Sequence, residues 1–279
     1  MPAKGVMTVR FEAPVQEPRL LESPSPGGVH VHAASRTYRS RRATVQALDG
    51  MTLTASPREV VAVVGPSGCG KSTLLELICG LQSPDAGTVR SEPAVYMPQR
   101  DLLLPWLSAL DNVRLGIDQA RPKLAKKERV ALAMRYLEKV GLGDAAHVRP
   151  SELSQGMQQR VGIARAFALA PRVLLLDEPF GMLDSLTRVE LQEVLLHLWR
   201  AERTTALMVT HDVDEALFLA DRVALMTNGP DARLGAVLTV PFSRPRERHE
   251  VMAHPAFFEL REDIMTFLET HAHQRAPAA

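Results

Sequence analysis

Hydrophobic positions along the chain switch between two periods. Val60-Val61-Ala62-Val63-Val64 is an unbroken apolar run, mostly β-branched, and reads as a strand buried on both faces. Thr73 to Ile78 follows with apolar residues at helical spacing. The alternation returns after Pro171. Arg172 to Leu176 predicts a buried strand, and Val189, Leu191, Val194, Leu195, Leu198 and Trp199 mark an amphipathic helix. Thr205 to Thr210, Val213 to Leu219 and Arg222 to Met226 read as strand, helix and strand. Strands alternating with helices predict an α/β fold around a parallel sheet.

Two stretches depart from that rhythm. Val29, Val31, Tyr38, Val45, Leu48, Met51 and Leu53 suggest short antiparallel strands, with a basic turn at 39–42 and Asp49-Gly50 as a turn between two of them. Residues 109 to about 145 are helical in character. Ala125 to Arg129 opens a helix through Val130, Leu132, Met134, Leu137 and Val140, and Gly141-Leu142-Gly143 closes it. Between these stretches, Thr88 to Arg90 and Ala94 to Met97 read as strands of a short hairpin, with Gln99 just beyond. The apolar cluster 102–107 either packs inside the domain or forms a docking surface. Residues 1–28, rich in Pro and Gly, read as a flexible tail with a short strand pattern at 6–11. Residues 241–279 read as an extension ending in a helix that carries Phe257, Phe258, Leu260, Ile264, Phe267 and Leu268.

Composition narrows the class. The 279 residues are 46% hydrophobic and 23% charged, which suits a large globular core. A net charge of +1 argues against a polyanion-binding surface as the main business, so no nucleic-acid partner is expected. Cys69 and Cys79 read as reduced thiols. No apolar run approaches the ~20 residues of a membrane helix, and the N-terminus lacks the apolar core of a signal peptide. The expectation is a soluble cytoplasmic protein that reaches a membrane through a partner.

Chemistry concentrates around one loop. Gly65-Pro66-Ser67-Gly68-Cys69-Gly70-Lys71-Ser72-Thr73 fits G-x-x-x-x-G-K-[ST] between a strand and a helix. The glycines let backbone N–H groups turn inward as an anion nest, and the helix adds its positive end. Lys71 can reach the β- and γ-phosphates of a nucleoside triphosphate, and the Ser72 hydroxyl can bind Mg²⁺. Val173 to Leu176 runs into Asp177 and Glu178. That is a Mg²⁺ carboxylate with a second acid placed to orient a water, or else an acidic turn after a core strand. His211 follows the Thr205–Thr210 strand at an edge where open α/β sheets bind ligands, as a γ-phosphate contact or as a structural residue. Ser154 caps a helix whose first turn holds Gly156, either a second phosphate site or a plain capped helix. Tyr38 either stacks on an adenine ring or covers its sheet.

Taken together, these segments resemble the ATP-binding subunit of an ATP-binding-cassette (ABC) transporter over roughly residues 35–240. Gly65 to Thr73 resembles the Walker A loop, Tyr38 the adenine platform, and Gln99 the Q-loop. Leu153 to Met157 resembles the family signature, with Gln155 where the family usually has Gly. Val173 to Glu178 resembles Walker B, with Glu178 as the catalytic glutamate. Leu183-Asp184 resembles the D-loop, and His211 the switch histidine. The resemblance implies a P-loop ATPase domain at 29–240, with a RecA-like core sheet, an antiparallel β subdomain and a helical subdomain at about 105–165. It implies ATP and Mg²⁺ as ligands, Ser72, Gln99 and Asp177 at the metal, and Glu178, His211 and Gln99 in catalysis. It implies a homodimer or paralogous heterodimer, in which Ser154, Gly156 and Asp184 meet nucleotide across the interface. Permease subunits, and through them an extracytoplasmic solute-binding protein, would be the partners at the inner face of the cell membrane. Asp101 to Trp106, Met226 to Pro230, Val240 to Arg246 and His254 to Leu268 are most similar to importers of nitrate and cyanate or bicarbonate. Sulfonate, taurine and pyrimidine-precursor importers, and a soluble ABC ATPase without transport, are the alternatives.

Overall fold

In the computed structural model, residues 27–40, 43–100 and 103–272 are described. The tail at 1–26, the turn residues 41 and 42, Asp101 with the first residue (102) of the apolar cluster, and the end of the extension at 273–279 lie outside the described residues. Gly27 and Gly28, assigned to the tail from sequence, are buried, and the Thr205 hydroxyl donates to Gly27 O over 2.6 Å.

A six-stranded sheet forms the centre. Its strands are β3 (Val60–Val64), β5 (Ala94–Met97), β6 (Val173–Asp177), β7 (Thr205–Thr210), β8 (Arg222–Met226) and β9 (Leu234–Thr239), in the order β5-β6-β7-β3-β8-β9. All neighbours are parallel except β9, which pairs antiparallel with β8. Side chains alternate faithfully across it. Val60, Ala62 and Val64 enter one core while Val61 and Val63 enter the other, and Leu174/Leu176 and Val173/Leu175 divide in the same way. A sheet apolar on both faces needs cover on both faces.

On one side the cover is α1 (Lys71–Ile78) and a second, antiparallel sheet of β1 (Val29–Arg39), β2 (Thr44–Ala55) and β4 (Ala86–Ser91), in the order β2-β1-β4. On the other lie α2 (Ala109–Ala120), α3 (Lys126–Lys139) and α4 (Gln155–Ala168), which pack on one another, then α5 (Ser185–Glu202), α6 (Val213–Leu219), α7 (Arg248–Ala253) and α8 (Pro255–Ala272). Gly141 ends α3 at φ 75° with its N–H on Glu138 O, and Leu142 N reaches back to Leu137 O.

Four sequence expectations change. Asp49-Gly50 is not a turn between strands: β2 runs through it, with a register shift opposite Ala34 and Arg36 and Gly50 at φ 64°. The hairpin expected at 88–97 does not form. Thr88 pairs with His32 while Met97 pairs with Leu176, so β4 and β5 belong to different sheets. Strand β9 was not read from the sequence. In α8, Phe257, Leu260 and Ile264 are buried and Phe258 points to solvent.

Candidate functional site

The parallel strands share register at their C-terminal ends. Val64 pairs with Thr210, Asp177 with Val209, and Met97 with Leu176, so the segments that follow them emerge side by side. That edge is where open α/β sheets hold ligands.

After β3, Gly65 and Cys69 are buried, Pro66 and Gly70 half-buried, and Ser67, Gly68 and Ser72 exposed. Gly70 caps α1 at φ 93°, and a Cβ there would lie 3.0 Å from Ala47 O, so only glycine fits the turn. Lys71 is 7% exposed, and its ammonium donates to Gly65 O (2.9 Å) and Pro66 O (2.8 Å). The loop thus fixes the Lys71 cation against its own backbone. Burial pushes the Cys69 thiol up, so it stays neutral beneath the loop. Thr73 is buried, and its hydroxyl lies 3.2 Å from the Tyr38 hydroxyl. Gln82 also donates to Tyr38 Oη over 2.8 Å, which leaves the partly exposed ring beside the loop.

Asp177 ends β6 at 7% exposure. The Tyr96 hydroxyl donates to its Oδ2 over 3.0 Å, and Asp177 in turn helps burial push the Tyr96 phenol well above its usual range. The next residue, Glu178, takes φ 45°, a left-handed conformation that costs a non-glycine residue about 1–3 kcal/mol. Its backbone N–H donates to Val209 O on the neighbouring strand. Two side chains converge on its carboxylate. Gln99 Nε2 donates to Oε2 over 2.8 Å, and His211 Nδ1 lies 3.3 Å from the same oxygen. The His211 side chain is 61% exposed, which leaves Nε2 free to meet a ligand.

The donor set suits a nucleotide with Mg²⁺. A buried carboxylate with one neutral partner, an exposed hydroxyl at Ser72 and the Gln99 amide are hard oxygen donors, few enough to leave places for phosphate oxygens and water. Among the described residues no group of three or more His, Cys, Asp or Glu is arranged to hold a metal.

Ser154 and Gly156 lie at the start of α4. Ser154 caps α4 by accepting from Met157 N over 3.2 Å, as its sequence position suggests. Gly156 is buried against α5, where an added Cβ would come within 2.4 Å of Thr187 Cγ2. Asp184 caps α5 through Leu186 N and Thr187 N, and the Thr187 N–H holds its carboxyl below the usual range. Among the described residues no hydrogen bond links Ser154, Gly156 or Asp184 to Lys71, Asp177, Glu178 or His211. Gln155 is the first residue of α4, without positive φ, so glutamine needs no strained backbone there. It lines a cleft with Gln99, Gln158, Gln159 and Met182.

Three supporting residues escaped the sequence reading. Tyr96 orients Asp177. Asn112 is fully buried and ties Leu104, Leu107 and Ser108 by their backbones, which presents Trp106 to solvent at 67% exposure. Glu215 is buried beside the His211 turn. Its carboxylate accepts from the Thr210 hydroxyl and from Gln192 Nε2 (2.9 Å), and burial pushes it up to about 7. The helix position of Glu215, four residues after His211, was the only sequence signal for it.

Comparison with known proteins gives a consistent picture. The ABC transporter family pattern matches residues 48–181. The nitrate import ATP-binding protein NrtD of Synechococcus elongatus is 47% identical over 251 residues, covering 87% of this chain and 92% of that protein. The bicarbonate transport ATP-binding protein CmpD of Synechocystis is 45% identical, covering 85% and 88%. The nitrate transport protein NasD of Klebsiella oxytoca is 44% identical, covering 86% and 95%. Among solved structures, the dimeric post-hydrolysis state of the ATP-binding cassette MJ0796 bound to ADP and Pi superposes with a TM-score of 0.69 at 30% identity, covering 77% of this chain and all of that one.

Proposed function

The chain belongs to the ABC transporter family as an ATP-hydrolysing subunit, and on that premise we propose that it powers import of a small inorganic anion, nitrate foremost. The observation that carries the mechanism is the convergence of Gln99 and His211 on the Glu178 carboxylate, on the sheet edge that also carries the Lys71 loop. In this reading the nest from Gly65 to Gly70 and the Lys71 ammonium bind the β- and γ-phosphates of ATP, with Ser67 and Thr73 along the loop and Tyr38 beside the adenine. Mg²⁺, when bound, neutralises charge on the phosphate oxygens, and Ser72, Asp177 and Gln99 are its protein ligands. Glu178 accepts a hydrogen bond from a water and orients it for attack on the γ-phosphorus. His211 lies beside that carboxylate, with its exposed ring edge toward the γ-phosphate.

Among the described residues, Ser154, Gly156 and Asp184 make no hydrogen bond to Lys71, Asp177, Glu178 or His211 of their own chain, which supports a two-copy arrangement. Each copy's α4 N-terminus then completes its partner's site, as a homodimer or a paralogous heterodimer. Trp106, held out by the Asn112 turn, is our candidate contact for a permease subunit, with a solute-binding protein acting from the far side of the membrane. Residues 29–240 form the catalytic domain in this reading, about 105–165 its helical part and 241–279 an extension. No helix among the described residues is long and apolar enough to cross a membrane, so attachment at the inner face falls to the permease.

Two nitrate-named relatives, at 47% and 44% identity, support nitrate as cargo, and the bicarbonate-named relative at 45% supports the second reading. Uptake of labelled nitrate, bicarbonate, taurine, an alkanesulfonate and a pyrimidine precursor in cells lacking the chain separates them. The expected result is loss of nitrate uptake alone, restored by the wild type. Intact nitrate uptake with loss of another solute overturns the cargo.

A further inference from the structure

Away from the strand ends, a recess of about 250 Å³ opens between α5, the end of α6 and the Arg244–Arg248 turn. Its lining is rich in guanidinium groups. Arg246 is the floor: its side chain is 1% exposed and donates to Phe242 O, Phe218 O and Ala220 O. Arg244 pairs with Asp221 over 2.8 Å, so that carboxylate is already committed. Arg200 and His197 line the recess from α5, three residues apart on one helix face, and among the described residues neither side chain has a hydrogen bond or ion pair. Glu193 and Glu247 also line it, and both are exposed.

Arg248 distinguishes this recess from a generic basic surface. Its guanidinium lies 4.1 Å above the Phe218 ring, and its Nε is buried without a partner. A buried, unpaired N–H on a planar cation is a donor that an oxyanion would satisfy. One of its other nitrogens donates to Gln192 Oε1. From there the contacts run inward without a break. Gln192 Nε2 donates to Glu215, the Thr210 hydroxyl donates to the other oxygen of the same carboxylate, and Asp212 N donates to that hydroxyl over 3.0 Å. Gln192 and Glu215 are 3% and 5% exposed, so no solvent interrupts the path to the turn that carries His211.

We propose that this recess binds a small divalent oxyanion between Arg200 and Arg248, and that Arg248 passes its occupancy through Gln192 and Glu215 to the His211 turn. An oxyanion that draws on the Arg248 fork competes with Gln192 Oε1, loosens the hold on Glu215 and Thr210, and slows hydrolysis. The coupling half rests on the placement of His211 proposed above, and the binding half does not.

The probe is sulfate, exchanged for chloride at constant ionic strength, with ADP saturating the P-loop. Calorimetry on the full chain should find one sulfate per chain, retained in Lys71→Ala and about tenfold or more weaker in Arg200→Ala and Arg248→Gln. No saturable binding at millimolar sulfate overturns the site. So does binding that is lost in Lys71→Ala and intact in Arg200→Ala, because the ion then sits on the P-loop. In ATPase assays sulfate should lower wild-type kcat about fivefold with little change in KM for ATP. Gln192→Met should still bind sulfate but no longer respond. If that variant does not fold, Gln192→Asn, whose shorter amide cannot span Arg248 and Glu215, takes its place. A response equal to wild type in the variant tested overturns the coupling. Wild-type turnover without sulfate reports separately on the ATPase reading.

Discussion

The Glu178 carboxylate shows how tightly single side chains are set. It leaves β6 in a left-handed conformation and is then gripped by Gln99 and His211, so the backbone strain is compensated by contacts that aim one oxygen. Glu215 is a second such residue, with a titration that can be followed. Burial raises its carboxyl from the usual 4.5 to about 7, against the opposing hydrogen bonds from Thr210 and Gln192 and with Asp212 and Arg188 nearby. Below pH 4.5 the group is protonated in both folded and unfolded chains. Between 4.5 and 7 only the unfolded chain ionises, so this group makes stability fall as pH rises through that window and leaves it flat above. The shift corresponds to about 3 kcal/mol. Urea unfolding from pH 4.5 to 8 should show this slope in the wild type and its loss in Glu215→Gln. An equal slope in both would place the titration elsewhere. Neither this residue nor Tyr96 was legible in the sequence as part of a site. Each is an ordinary polar residue on an ordinary element, and only the packing of β5 on β6, or of α6 against α5, gives it a partner.

At the scale of elements, the close approach of α4 and α5 is carried by the contact of Gly156 with Thr187. It exists because Gly156 has no Cβ to meet Thr187. Gly156→Ala should destabilise the chain by about 1–3 kcal/mol in urea, and Thr187→Ala in the same chain should recover much of the loss. Additive losses would mean the two helices do not meet there. The elements also show what local sequence can specify. The strand, glycine loop and helix around Lys71, the cap at Ser154 and the helix stop at Gly141 are short-range features, and the sequence predicts them. The partners of β4 and β5 are not short-range. Only two residues separate these strands, yet one pairs with β1, more than fifty residues earlier, and the other with β6, far downstream. Periodicity names a strand without naming its neighbour, and so the hairpin reading failed. The same limit hid the bulge at Gly50 and the edge strand β9.

For the whole molecule, Trp106 follows Gln99 by seven residues in the chain. Leu103 packs partly on the core whereas Trp106 does not, so Trp106 is the better residue for testing contact with a permease. Trp106→Ala in cells should reduce anion uptake about tenfold or more while the purified chain keeps its ATPase. Unchanged uptake would remove this surface from the account.

In the proposed mechanism Glu178 orients water in a site closed by two copies. The most direct measurement pairs single-turnover ATP hydrolysis with light scattering on Glu178→Gln. Expected are a turnover lower by about a hundredfold or more, ATP affinity near that of the wild type, and a dimer that forms with ATP and persists. Turnover close to wild type, or no ATP-dependent change in mass, would contradict it.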